Sequence, residues 1–295
     1  MLNTKIRRVV LTLFPKNSKR YNTLHKIYHF IFISDDWSIR SDLSMHLKIF
    51  LRMVLKKFRI HTRKMKRFQD IYNRHKGERC FIVCTGPSLT INDLEKLKKE
   101  YTFGVNSIFM AYGRTDWRPT YYVAVDYFHL QDIIKQKTCN IDRLCNAEAF
   151  VHPKIKINTS HDIVLPCLIN YANHQSNHIG KDGLKMSADV DVCLYDCFTV
   201  TNSAIQLAIY MGFKKIYIIG ADCDYSQSKM HFIETEIDEN DRNSDWLPNA
   251  IELSIKGYTA AKRFAESMGV SIYNSTRGGK LEVFERADID NLDLK

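Results

Sequence analysis

No stretch of this 295-residue chain approaches about 18–20 uninterrupted apolar residues, so no transmembrane helix is expected. The chain starts with basic residues, but its apolar run at 9–14 is short and is followed by Pro15 and Lys16, so no signal peptide is expected either. Internal repeats and low-complexity tracts are missing. At 45% apolar and 26% charged residues, the composition is that of an ordinary globular protein and argues against general disorder. The length suits one large domain with an appendage, or two small domains. Two nucleotide signatures are absent, the dinucleotide G-x-G-x-x-G and the Walker loop. Zinc spacing is absent too, because Cys80/Cys84 and Cys193/Cys197 are Cys-x3-Cys pairs. Several of the eight cysteines lie in strand-like apolar runs, where a free thiol behaves as a small hydrophobe. Reduced cysteines and a cytoplasmic location are the expectation.

Acidic residues are scarce in the first 76 positions. Nineteen Lys and Arg stand there against four Asp and Glu, a balance of +15, while the remainder holds 24 against 29, or −5. The formal net charge of +10 therefore belongs to the N-terminal segment. A basic arm suits anionic lipid, nucleic acid or an acidic partner. No recognisable nucleic-acid module accompanies it, and no nucleic-acid partner is expected. Residues 1–76 read as helices. Within 43–60, Leu43, Leu47, Phe50, Leu51, Val54, Leu55 and Phe58 fall near one face, and Lys48, Arg52, Lys56, Lys57 and Arg59 lie mostly off it. Such a basic amphipathic helix either packs on the main domain with its basic side solvated or lies on an anionic membrane surface. The second reading would make the protein peripheral at the inner face of the plasma membrane.

At Lys76-Gly77-Glu78 the pattern changes. Strand-like residues 79–84 lead into the turn Thr85-Gly86-Pro87-Ser88, then helical residues 92–99, a second strand at 102–105 and a third at 121–125 ending on Asp126. Strand, turn, helix, strand at this spacing predicts a βαβ unit of a parallel sheet. Residues 127–198 parse less clearly, with candidate strands at 150–152 and 163–168 and a loop at 176–186. A second clear unit follows: a helix at 202–211 closed by Gly212, a strand at 215–219 ending on Gly220-Ala221-Asp222, a helix at 258–268 and a strand at 270–273. Polar residues 223–250 could form a lid. The expectation is an α/β, Rossmann-like fold: a mainly parallel sheet flanked by helices over 77–295, with residues 1–76 as a basic helical extension.

Ligands of a parallel α/β sheet sit beyond the carboxyl ends of its strands. Four strand ends carry suitable groups. The first has Thr85, Gly86, Pro87 and Ser88, where a glycine admits close backbone approach and the following helix N-terminus attracts anions. The second has Asn106, able to donate to and accept from a sugar or base. The third has Asp126. The fourth has Gly220, Asp222 and Asp224. A phosphorylated, nucleotide-containing ligand at the 85–88 loop is the central expectation. Each group also has a plainer use: the Gly-Pro-Ser as a common turn, Asp126 and Asp222 as turn caps, Asp224 as solvated charge, His231 as a structural imidazole. Arg277, in a Gly-rich loop, could meet phosphate or cover the sheet edge.

These residues resemble a known family. The run Cys80-Phe-Ile-Val-Cys-Thr-Gly-Pro-Ser-Leu89, with Asp93-Leu94, Phe103-Gly-Val-Asn106, Arg118-Pro-Thr-Tyr121 and Asp126, resembles the MptE-like domain, named for an archaeal 6-hydroxymethylpterin diphosphokinase. Gln206-Leu-Ala-Ile-Tyr-Met-Gly212, Ile216-Tyr-Ile-Ile-Gly-Ala-Asp222 and Tyr273-Asn-Ser-Thr-Arg-Gly-Gly-Lys-Leu-Glu-Val-Phe284 are similar to its bacterial members, many of which occur with surface-polysaccharide genes. The resemblance spans about residues 78–288. A more distant similarity is to bacterial sialyltransferases that use CMP-sialic acid, through residues 86–89, Asn106, residues 212–214 and residues 220–222. Two departures stand out. The Ser-Gly pair before that family's helix is replaced by Thr199-Val200-Thr201, and no histidine follows His231, whereas that family's catalytic histidine lies well downstream of its Gly-x-Asp.

The resemblance implies a transferase with a nucleotide or nucleotide-sugar donor and a glycan or lipid-linked acceptor. Gly86, Ser88 and Asn106 would serve the nucleotide, Thr85, Pro87, Thr201, Gly220 and Arg277 the nucleotide or the substrate, Asp126 and Asp222 the sugar or acceptor, and Asp222 or His231 the base. The alternative it implies is diphosphoryl transfer from ATP to a hydroxymethyl alcohol. No cofactor is required by the first reading; under the second, Asp222 and Asp224 would hold Mg2+. A third expectation, from another class, is a non-catalytic nucleotide- or glycan-binding assembly protein.

Overall fold

A computed structural model describes residues 39–126, 147–152, 164–174, 183–224, 229–233 and 247–295. The chain divides into two units, Met1–Ile60 and His61–Lys295. In the first, helix α1 (Ile39–Lys57) ends where Ile60 N donates to Leu55 O and Arg59 N to Lys56 O, with Arg59 in the left-handed region at φ 56°. Such a pair of reversed bonds satisfies the last carbonyls of a helix. The second unit starts earlier than the boundary expected at 76. The reason is packing: α2 (Arg63–Gln69) and the turns after it bury Met65, Phe68 and Ile71, so these residues belong to the main core and not to the basic extension.

The main unit is a Rossmann-like α/β fold. Its strands are β1 (Arg79–Val83), β2 (Thr102–Val105), β3 (Tyr121–Ala124), β4 (Glu148–Val151), β5 (Val164–Pro166), a separate short pair β6 (Ile169–Asn170) and β7 (Leu194–Tyr195), then β8 (Lys215–Ile219), β9 (Ser271–Asn274) and β10 (Glu285–Arg286). The large sheet has the order β10-β9-β8-β1-β2-β3-β4-β5, and every pairing in it is parallel. All its carboxyl ends therefore point to one edge.

Burial on both faces explains why these strands read as continuous apolar runs. Alternate side chains go to opposite faces. Cys80, Ile82, Phe103, Val105 and Val123 pack with α2, α4 (Val200–Tyr210) and α5 (Leu247–Ser267). Phe81, Val83, Tyr122, Tyr217 and Ile219 pack with α3 (Ile91–Lys96), the 3-10 helix Asn106–Gly113 and Ile289 near the C-terminus. Each such side chain contributes about 1.5–3 kcal/mol. Helix α4 is buried all round from Thr201 to Tyr210, and its N-cap Thr199 accepts from Asn202 N. Helix α3 opens on a capping box, Thr90 and Asp93 each accepting from the other's backbone N–H.

Some expectations shift. Helix α5 begins at Leu247, eleven residues before the expected start, so 247–250 are helix and not lid. Strand β4 begins at Glu148, earlier than expected. Of the rest of the expected lid, 223–224 and 229–233 are described, while 225–228 and 234–246 lie outside the described residues, as do 176–182 of the expected loop at 176–186. No helix among the described residues is long and apolar enough to cross a membrane.

Candidate functional site

The strand order reverses between β1 and β8: from β1 the chain steps outward to β2–β5, then returns to lay β8 on the other side of β1. Loops that leave such neighbours diverge and open a crevice at the carboxyl edge. The loops there are Thr85–Ser88 and Gly220–Asp222, and they touch. Ser88 Oγ donates to Asp222 Oδ2 at 2.9 Å, Ser88 N lies 3.4 Å from the same oxygen, and Gly86 N donates to Gly220 O at 2.8 Å.

Gly86 is required by this closeness. A Cβ there would run into Asp222 Oδ2 and Gly220 O. The sequence reading reserved the space for a ligand; the structure fills it with Asp222. The loop after β9 closes on the same aspartate from the other side. Gly279 has φ 69°, a Cβ on it would lie 2.6 Å from Asp222 O, and Lys280 N donates to that carbonyl at 2.7 Å. Burial raises the Asp222 carboxyl above the usual carboxylate range, against the lowering effect of the Ser88 hydrogen bonds. Its near neighbour Asp224 pairs with Lys280 at 2.9 Å. Among the described residues, no group of three His, Cys, Asp or Glu side chains is assembled for a metal.

His231 stands over the first loop. Its Nδ1 lies 3.4 Å from Thr85 Oγ1, and Phe232 N donates to Thr85 O at 2.7 Å. Beside it, Thr85, Ser107, Ile108, Ala111, Phe232 and Ile233 line a small open cleft. Asn106 closes the end of β2 with φ 43°; its carbonyl accepts from Tyr122 Oη at 2.6 Å, and its side-chain Oδ1 is buried without a protein partner. Ser275 Oγ, just past β9, is likewise buried without one. A strained backbone and an orphaned buried acceptor at a sheet's ligand edge are what a binding residue would show.

Other expected residues have different surroundings. Thr201 is buried in the first turn of α4, 3.2 Å from Cys84 Sγ, so its hydroxyl is used inside the protein. Arg277 is held by two carboxylates, Asp93 Oδ1 at 2.9 Å and Asp290 Oδ2 at 2.6 Å, and therefore ties the β9 loop to α3 and the C-terminal segment. Asp126 is exposed past β3. Burial pushes the Cys84 and Cys223 thiols up to about 12, which leaves neither as a thiolate nucleophile near neutral pH.

Sequence reasoning missed one group at this edge. His174 Nε2 lies 3.0 Å from Asp196 Oδ2, its ring packs against Phe198 and Tyr171, and Asp126 and Asp196 are both close enough to Tyr171 to help raise its phenol, after burial itself. Phe198 has φ 66°, a costly conformation for an aromatic residue. The only sequence signal was the polar pair Asn173-His174 next to an apolar run, which is weak.

Comparison with known proteins adds three findings. No curated protein sequence matches the chain. A solved structure described as MAf glycosyltransferase from Magnetospirillum magneticum AMB-1 is similar at 14% identity and a TM-score of 0.44, covering 95% of this chain; the chain spans 43% of the length of that one. The family model described as 6-hydroxymethylpterin diphosphokinase MptE-like matches residues 55–228, more than half of the chain, and the protein therefore belongs to the MptE-like family.

Proposed function

We propose that the protein is a transferase using a nucleotide-activated donor, and that the group it moves is a glycosyl residue in surface-polysaccharide synthesis. The carrying observation is the meeting of Asp222, Ser88 and the His231-bearing chain at the carboxyl edge where strand order reverses between β1 and β8. Thr85, Gly86, Pro87, Ser88 and Asn106 would form the nucleotide wall, with the orphaned Asn106 Oδ1 as an acceptor for a ribose or base. Asp126 and Asp222 would serve the sugar or the acceptor. As the acceptor oxygen attacks the anomeric carbon, its proton passes to the Asp222 carboxylate or to His231, and the bond to the donor phosphate breaks with its electron pair leaving on the nucleotide. A carboxyl whose affinity for protons is raised by burial suits that task better than a fully solvated one.

Family membership favours a second reading, diphosphoryl transfer from ATP to a hydroxymethyl alcohol. Mg2+ would then be held by Asp222 and Asp224 together with the phosphates. Lys280 would have to give up Asp224 for this, and Ser88 would have to share Asp222. That requirement is why glycosyl transfer is preferred.

A thermal-shift screen of nucleotides and nucleotide sugars, with and without Mg2+, separates the readings, since a ligand at a hundred times its Kd stabilises the folded state by about 2.7 kcal/mol. Stabilisation by a cytidine nucleotide without metal supports glycosyl transfer. Stabilisation by ATP only with Mg2+ supports diphosphoryl transfer. If no nucleotide raises Tm, both readings fall.

A further inference from the structure

The unit Met1–Ile60 carries a feature that the proposed chemistry does not use. Five of the seven large hydrophobic side chains exposed among the described residues lie between positions 50 and 60: Phe50 (59% exposed), Leu51, Met53, Phe58 (68%) and Ile60. An exposed phenylalanine is ordinary alone, but a cluster on one short stretch marks a contact surface. At 100° per residue, Phe50, Leu51 and Phe58 fall within one third of the helical circle, together with Leu47 and Val54. Lys48, Arg52 and Lys56 follow on one side of that stripe and Lys57 on the other, with Arg59 in the turn beyond the helix. Between Asp42 and Asp70 the sequence has no acidic residue at all. From position 43 to the turn that ends α1, this stretch is thus apolar in the middle, positive along its margins and has no acidic residue of its own.

We propose that α1 and the turn that ends it form a monotopic docking surface for an anionic lipid bilayer, lying in the interface with Phe50, Leu51 and Phe58 at acyl-chain depth and the exposed Lys48, Lys57 and Arg59 on lipid phosphates. Charge complementarity selects this occupant: a second copy of the segment would bring positive margins against positive margins, and an ordinary protein groove would not need cations on both sides of the stripe. Helix α1 has 19 residues, but it is too polar to cross a bilayer, which leaves it lying on one. The proposal is independent of the transferase reading, since it concerns residues outside the crevice.

The test is flotation of the full-length protein with phosphatidylcholine vesicles, with and without phosphatidylglycerol. Binding is expected only with the anionic lipid, and should decline as salt rises. Neutralising Lys48, Lys57 and Arg59 together with glutamine should weaken partition roughly a hundredfold, at about fivefold per basic residue. Phe50→Ser with Phe58→Ser should weaken it at least about tenfold per phenylalanine. Both sets of side chains lie outside the core, so the thermal midpoint, and any nucleotide-induced rise in it, should stay as in the parent; loss of that rise would concern the crevice and not the membrane. Failure of the parent to float at low salt overturns the proposal. So does a serine variant that floats as well as the parent, which would make the contact purely electrostatic. A concentration-dependent dimer of the parent that the serine variant abolishes, with no flotation, would assign the surface to a second copy and overturn it as well.

Discussion

The two edges of the sheet are built on opposite rules. At the amino edge, the charged groups are matched inside the protein, although Trp117 Nε1, buried ahead of β3, lacks a protein partner. His75 is buried, stacked on Phe213 at 4.5 Å, with Nε2 2.6 Å from Tyr121 Oη and Nδ1 2.7 Å from Glu78. Arg79 pairs with the buried Glu100 beside it. At the carboxyl edge, matching is incomplete. Asn106 and Ser275 keep buried oxygens without a protein partner, and Asp222 is held where burial disfavours its charge. Three of the five non-glycine residues with positive φ among the described residues, Asn106, Phe198 and Cys223, also sit there. A sheet stabilised at one edge can tolerate such features at the other, and their concentration there is what a ligand edge requires.

The largest expected effect tests Asp222. Asp222→Asn keeps the size and an acceptor for Ser88, yet removes the base. Turnover should fall by about 10^2–10^4, with nucleotide binding largely kept. The pH dependence has a definite sign. The folded pKa is raised, so the group's contribution to stability is present below the ordinary carboxyl pKa and is lost as pH rises through the raised value. At neutral pH the buried charge is therefore a cost, and the asparagine variant should have an unchanged or higher urea midpoint. In the parent, the acid limb of the rate profile should lie above the ordinary carboxyl range and disappear in the variant. A variant that is less stable and fully active would make Asp222 structural.

The opposite edge should respond in stability alone. His75→Ala removes a stacked ring and two hydrogen-bond partners and should cost about 2–4 kcal/mol in urea unfolding, with the nucleotide's Kd unchanged. A shifted Kd would show that the edges are coupled. Arg277→Ala comes next. It leaves the buried Asp93 carboxylate with only its Thr90 bonds and should cost about 1–3 kcal/mol. Arg277 and Lys96 hold Asp290 well below the usual carboxylate range, so that part of the clasp is present at neutral pH and is lost as pH falls through the depressed value. The variant's deficit should narrow in acid. If nucleotide binding falls in place of stability, the arginine serves phosphate after all.

How much of this was legible follows from distance along the chain. Strands β1, β2, β3 and β8 are apolar runs bounded by turn residues, and their ends name Ser88, Asn106, Asp126 and Asp222 without coordinates. What no local pattern carries is that β8 returns beside β1, which puts Asp222 against Gly86 across more than a hundred residues and gives the glycine its reason. Arg277 looked available for phosphate because Asp93 and Asp290 are remote or unremarkable in sequence. Strands β6 and β7 have two residues each, too few for a period-2 signal. The early start of α5 was hidden by Gly257, which looks like a helix breaker but is demanded by packing: a Cβ there would meet Cys197 O.

The smallest expected effect has the most diagnostic sign. Asn106 carries two costs, a left-handed backbone and a buried unpaired Oδ1. Glycine at this position removes both: it adopts positive φ freely and has no side-chain acceptor to desolvate. Against this stands the extra freedom glycine gives the unfolded chain, roughly 0.4–1 kcal/mol. Tyr122 keeps its bond, because it donates to the backbone carbonyl of residue 106. The balance for Asn106→Gly should be a gain of up to about 1 kcal/mol, read as a small rise in the urea midpoint. If Asn106 is retained for ligand, the same variant should bind nucleotide more weakly, by about tenfold for one lost hydrogen bond. Stability and affinity moving in opposite directions at one residue is the behaviour of a binding position. A loss of stability with unchanged affinity would place Asn106 with the matched residues of the other edge and remove it from the site.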